Sequence, residues 1–172
     1  MKLLGKRKGW WIFLSVFVII LFLPEFPKIP VQNATEKDWN AKSFWFEPWG
    51  KSGVHKGIDI FGKMNTPVLS TTYGVVIFAG ELPRGGKVVA VLGPKWRVHY
   101  YAHLNSDSVF IGEPMWNGKT IAALGDTGNA KGKQPHLHYS VVTLVPYLWR
   151  IDGTTQGWKK AFYLNPAQVL LH

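Results

Sequence analysis

The chain has 172 residues, 47% of them apolar and 17% charged. That fits one folded domain with a short appendage and excludes a disordered chain. A formal charge of +10 favours an anionic partner, whether nucleic acid, anionic lipid or an acidic wall polymer, without choosing among them. There is no cysteine, so disulfides, thiolate metal ligands and a cysteine nucleophile are excluded, and any metal must be held by His, Asp or Glu.

The chain opens on a basic cluster, Lys2, Lys6, Arg7 and Lys8, followed by an uncharged apolar run over residues 10–23. A basic start before such a run is the pattern of an export segment. The run falls short of the about 20 residues of a full membrane span. No small-residue cleavage site follows it; Pro24, Glu25, Pro27 and Pro30 do, which favours a retained anchor over a removed signal peptide. Trp10 and Trp11 suit a headgroup interface. The competing reading, a buried core helix, leaves the basic cluster unexplained. Residues 1–23 are therefore read as signal peptide or signal anchor and 24–42 as a proline-marked linker. Residues 43–172 are read as the folded domain, placed in the cell envelope outside the cytoplasm, periplasmic in a Gram-negative source.

From residue 43 onward the pattern is β. Short runs rich in Val, Ile, Thr and aromatics, cut by Gly and Pro, occur at 66–80, 87–93, 96–104, 119–129 and 137–145. A short closing helix is expected over 165–172, with Asn165 as its cap and Pro166 at its first position. The expected fold class is all-β: antiparallel strands forming a sandwich or barrel.

The stretch 134–142, "QPHLHYSVV", sets two imidazoles two positions apart. Strand alternation turns His136, His138 and Ser140 one way and Leu137, Tyr139 and Val141 toward the core. Two adjacent imidazoles gain little by mere exposure and repel when both are protonated. A divalent cation resolves this by holding one as a neutral ligand and leaving the other for proton transfer. In "GVHKGIDIFG" (53–62), His55 can fold back toward Asp59, with Gly57 supplying flexibility; a solvated His and a turn-forming Asp are the plain alternative. In "VHYYAHLN" (98–105), alternation puts His99, Tyr101 and His103 on one face, so parity does not separate the two histidines. For His99 a surface imidazole is expected. In combination, His55, Asp59 and His138 would make a two-histidine, one-carboxylate set with an open position, as catalytic zinc requires. His103 and His136 would stand beside it, suited to acid–base work near neutral pH.

The ordered series H-x-G-x-D at 55–59, Y-A-H-L at 101–104 and H-L-H-Y at 136–139 resembles the M23 zinc metallopeptidases, the LytM- and lysostaphin-like peptidoglycan endopeptidases. The resemblance covers roughly residues 53–145. It implies a β-sheet groove fold, Zn2+ held by His55, Asp59 and His138, and catalytic histidines at His103 and His136. The strand before Y-A-H-L, "VLGPKWRVH", lacks the Asp-His pair of many members, so residues flanking the groove do not carry over. The stretch 147–168 lies outside the shared core and carries no assigned chemistry.

The function expected is hydrolysis of peptide bonds in peptidoglycan stems or cross-bridges, with a membrane contact through the N-terminal segment. Its rival is a catalytically silent peptidoglycan-binding adaptor that activates another hydrolase. Nucleic acid is not expected as a partner, since no binding motif appears and an export segment removes the chain from it.

Overall fold

The computed structural model describes residues 3–171, with side chains from Lys8 onward; Lys2 of the basic cluster lies outside the described residues. Among the described residues nine antiparallel strands form one sheet. They are β1 (Ile58–Phe61), β2 (Pro67–Leu69), β3 (Gly74–Leu82), β4 (Gly86–Leu92), β5 (Arg97–Asp107), β6 (Pro114–Met115), β7 (Thr120–Leu124), β8 (His136–Thr143) and β9 (Tyr163–Leu164). The main order is β1-β8-β5-β4-β3-β6, with β7 joining β5 to β2 and β9 on the edge of β8.

Strand β5 bends the sheet. Its first half, from Arg97 to Ala102, pairs with β8, and after a register shift its second half pairs with β7. Its other edge pairs with β4 from Val98 to Leu104. One face of this curled sheet carries the core: Ile58 and Ile60 of β1, Val89 and Val91 of β4, Tyr101 of β5, and Leu137, Tyr139 and Val141 of β8 are all fully buried. Burying each such aliphatic side chain contributes about 1.5–3 kcal/mol. The opposite face, carrying Asp59, Tyr100, Ala102 and His138, lines a groove. The expected alternation of β8 therefore holds, with Leu137, Tyr139 and Val141 on the core side.

Alternation fails at one place on β5. His99 and Tyr101 lie on the core side, but His103 has φ 66°. A left-handed residue inside a strand resets the side-chain direction, and His103 turns back onto the groove face. His99 is not the expected surface imidazole: it is fully buried. Its Nδ1 meets the Tyr139 hydroxyl at 2.7 Å and its Nε2 meets Glu25 Oε1 at 2.7 Å. A fixed spacing on a strand predicts a shared face only while the backbone stays extended.

The stretch 24–42 does not run free. Val31 bridges to Val68, the carbonyl of Pro30 accepts from Leu69 N–H at 2.8 Å, and Val31 and Trp39 are buried in the core. Proline, which suggested a linker, also suits an edge position, where no ladder donor is needed. Helix α1 (Leu3–Phe22) precedes it. The indole of Trp96 stacks on Phe17 at 5.1 Å and donates to the Phe17 carbonyl at 3.0 Å. Trp10, Trp11, Phe13 and Phe22 stand exposed. Among the described residues no helix is long and apolar enough to cross a membrane; the uncharged part of α1, residues 10–22, spans about 20 Å against a hydrocarbon core of roughly 30 Å. At the other end, α2 (Pro166–Leu170) begins as expected, the Asn165 side chain accepting from Ala167 N–H with Pro166 in the first turn.

Candidate active site

Antiparallel pairing builds the centre of the site. Asp59 faces His138 across β1 and β8, and Phe61 faces His136 one groove-side pair further along. His55 precedes β1 and is held by main-chain bonds to the aromatic stretch: its N–H donates to Phe46 O at 3.0 Å, and Trp45 N–H donates to its carbonyl at 2.7 Å. Gly57 between them was expected to supply flexibility. It supplies room instead. It is not a positive-φ residue, and a Cβ there would lie 2.5 Å from Tyr139 O and 2.8 Å from His138 Cε1.

Hydrogen bonds at the far side of each ring fix which nitrogen faces inward. A carbonyl only accepts, so His55 Nδ1–H donates to Ser43 O at 3.0 Å. Ser140 Oγ–H donates to Lys56 O at 2.9 Å, and its oxygen accepts from His138 Nε2–H at 3.1 Å. The inward atoms, His55 Nε2 and His138 Nδ1, are then lone-pair acceptors 3.1 Å apart. Asp59 Oδ1 stands 3.2 Å from the first and 2.8 Å from the second. Three acceptors converging with no proton between them repel, unless a cation or extra protons lie among them. The donor set fits zinc: bonds of about 2.0–2.1 Å place tetrahedral ligand atoms about 3.3 Å apart. His55, Asp59 and His138 together form a cluster able to hold a metal ion.

His103 and His136 sit beside this cluster, their rings edge to face at 5.0 Å, with His103 6.0 Å from the His138 ring. Each gives its Nδ1–H to a carbonyl, His103 to Thr127 O at 2.9 Å and His136 to Gln134 O at 2.8 Å. Each therefore turns Nε2 to the groove. Burial, then the neighbouring His138 and His136, push His103 down to about 4, which keeps it a neutral acceptor near pH 7. Its partner carbonyl is placed by a crossing of two turns. Gly86 (φ 64°) and Gly128 (φ 67°) pack backbone to backbone, and a Cβ on Gly86 would lie 2.4 Å from Gly128 N.

All five expected residues thus line one groove of about 850 Å³. The sequence reading missed their supports. The carbonyls of Ser43, Thr127 and Gln134 carry no side-chain signal, whereas Ser140 stood on the flagged face of β8. Trp49 stacks on His55 at 4.0 Å between ring centres, so the aromatic stretch 43–50 serves two sides: Phe44 packs on the core and Trp49 lines the groove. The stretch 147–168 braces that segment from outside. Thr155 O accepts from the Trp45 indole at 3.1 Å, and Gln156 donates to Ser52 O at 2.9 Å.

Comparison with known proteins agrees with this geometry. Residues 53–148 match the model of peptidase family M23. The L-Ala–D-Glu endopeptidase of Bacillus subtilis is 34% identical over 113 residues, covering 60% of this chain and 35% of that protein. The catalytic domain of lysostaphin from Staphylococcus simulans superposes with a TM-score of 0.59 at 24% identity, over 73% of this chain and 86% of that one, and shares its fold. A zinc-containing peptidase from Vibrio cholerae superposes with a TM-score of 0.56 at 28% identity, over 69% of this chain and 36% of that one. This chain thus spans only about a third of the B. subtilis and V. cholerae proteins. The chain belongs to peptidase family M23.

Proposed function

We propose that this protein is a zinc-dependent endopeptidase that hydrolyses peptide bonds in peptidoglycan stems or cross-bridges. The observation that carries the reading is the convergence of three acceptor atoms, from His55, Asp59 and His138, beside two imidazoles whose Nε2 atoms face the same groove. When bound by those three residues, zinc supplies Lewis-acid chemistry, making water more acidic and polarising a carbonyl. His103, kept neutral by burial, takes the proton of the attacking water at Nε2. His136, in its protonated form, donates from Nε2 to the developing oxyanion, and the departing amine regains a proton from this pair. The Ser43 and Ser140 oxygens hold the ligand rings in the tautomers this requires.

The test is zinc content and muropeptide hydrolysis of the full chain beside His136→Ala. One zinc per chain, with hydrolysis lost in the variant and metal retained, is the expected result. A metal-free chain that binds peptidoglycan without cutting it would make the protein an adaptor.

We further propose that residues 1–23 export the domain and keep it at the membrane surface. The basic start, the exposed Trp10 and Trp11 and the apolar length of α1 support a segment that enters the interface. Alkaline carbonate extraction of membranes tests this; full release of the chain would overturn it.

A further inference from the structure

The groove has an uncompensated charge. Four cations line it, each from a different segment: Lys51 on the turn Gly50–Ser52, Lys56 between the two N-terminal ligands, Arg84 on the β3–β4 hairpin and Lys133 on the loop before β8. Outside the groove three cations meet carboxylates, Arg97 with Glu25, Lys119 with Glu113 and Lys160 with Asp152; others among the described residues, such as Lys63 and Arg150, are unpaired too, and what sets the groove's four apart is their convergence on one concavity. Among the described residues none of the four groove cations is in an ion pair. The single carboxylate lining the groove, Asp59, belongs to the candidate metal cluster with His55 and His138.

These cations are also aimed. Arg84 Nη1 donates to Ser52 Oγ at 3.3 Å, and Lys56 Nζ donates to Ser52 O at 3.0 Å. Both side chains are thereby tied to the turn at one end of the groove, with most guanidinium donors of Arg84 left over. Gathering like charges in a concave site raises its free energy unless an anion answers them, and the concavity focuses their field on whatever enters. A glycine bridge offers no charge to answer. A peptide with free carboxylates does.

We propose that the groove is selective for an acidic peptide, with Arg84 and Lys133, supported by Lys51 and Lys56, reading its free carboxylates. This rests on the peptidase reading of the same groove. The sequence had left stem and glycine-rich bridge open; the charge of the groove decides for the carboxylate-bearing stem.

The test compares the zinc-loaded full chain on three substrates at low ionic strength: a stem peptide with free carboxylates, the same peptide amidated, and oligoglycine. The free acid should show a KM about tenfold lower than the amide, the worth of two partly exposed ion pairs. The preference should shrink with added salt and collapse in the Arg84→Gln, Lys133→Gln double variant. Equal or better cleavage of the amide or of oligoglycine would overturn the proposal. So would a double variant that keeps the preference, or salt-sensitive attraction to whole walls without discrimination between the peptides, which would mean general affinity for polyanions. If none of the three is cleaved, the peptidase reading fails, and calorimetry on the same chain decides this one separately. Tighter binding of the free acid, again by about tenfold, would uphold it, and equal binding would overturn it.

Discussion

His99 and His103 stand four residues apart on β5 and end in opposite environments. Behind the sheet, His99 lies in a closed set: Tyr139 hydroxyl on one nitrogen, Glu25 on the other, and Arg97 on the second oxygen of Glu25 at 2.6 Å. Every charge there has its opposite, and of the donors named only Arg97 Nε–H lacks an acceptor. In front, His55 Nε2, His138 Nδ1 and Asp59 Oδ1 face one another as acceptors, and four cations stand without counter-charges. A satisfied buried network holds a fold together. An unsatisfied one, kept in place by well-satisfied neighbours, is the arrangement that binding chemistry uses.

The front is broken most completely by His138→Ala. It removes one acceptor of three, so bound zinc should fall well below one per chain, and peptide hydrolysis should drop by ~10⁴-fold or more. Because the substitution also relieves acceptor crowding, the metal-free variant should melt no lower than the metal-free parent. A large loss of metal-free stability would mean that the cluster is structural, like the one behind the sheet. Next in size, His103→Ala should keep its zinc and lose about 10²–10³-fold in kcat, the range of a general base. Metal analysis beside steady-state kinetics separates the two variants.

How far this was readable beforehand depended on which backbone rule governed each residue. The groove side of β8 follows from period-two alternation and the grouping of His55, Asp59 and His138 from their donor types and motifs, whereas the register that sets Asp59 opposite His138 needed the fold. Parity did not separate His103 from His99, and only the Y-A-H-L motif singled out His103, because the reversal rests on a φ of 66° at a non-glycine residue, for which composition gives no warning. The role of 24–42 was hidden for a different reason: prolines mark linkers and edge strands alike, and Glu25 finds its partners 72 and 74 residues away. The groove cations were counted in the net charge, but their convergence needed the fold.

The back is tested by Glu25→Gln. The side chain of Glu25 is 2% exposed. Losing its charge leaves Arg97 without a counter-ion, at a cost of about 3 kcal/mol read from the denaturation midpoint. Hydrolysis per folded molecule should hold, since the cluster lies across the sheet from the groove. Burial works against ionisation of Glu25, but the His99 hydrogen bond and charge, then Arg97, hold its carboxyl below the usual range. A depressed carboxylate stabilises above its unfolded pKa and loses that share as pH falls through the folded value. The gap between parent and variant should therefore be full at neutral pH and narrow as pH drops below about 4.3. A gap independent of pH would mean that shape, not charge, sets the contribution.

The smallest effect belongs to Trp49, which joins the two kinds of environment. Its ring covers one face of His55, a candidate ligand otherwise held through Ser43 O and the main chain of Trp45 and Phe46, yet it remains 37% exposed at the groove. Trp49→Leu keeps an apolar cover but loses the flat stack, so water should reach the ligand ring more often and zinc affinity should fall by a few fold, at most about tenfold. If the indole also bounds the substrate groove, KM should rise while kcat stays within about threefold. Competition with a chelator measures the first and steady-state kinetics the second. An unchanged KM with weakened zinc would confine Trp49 to shielding His55, and a raised KM with unchanged zinc would make it a wall of the groove alone.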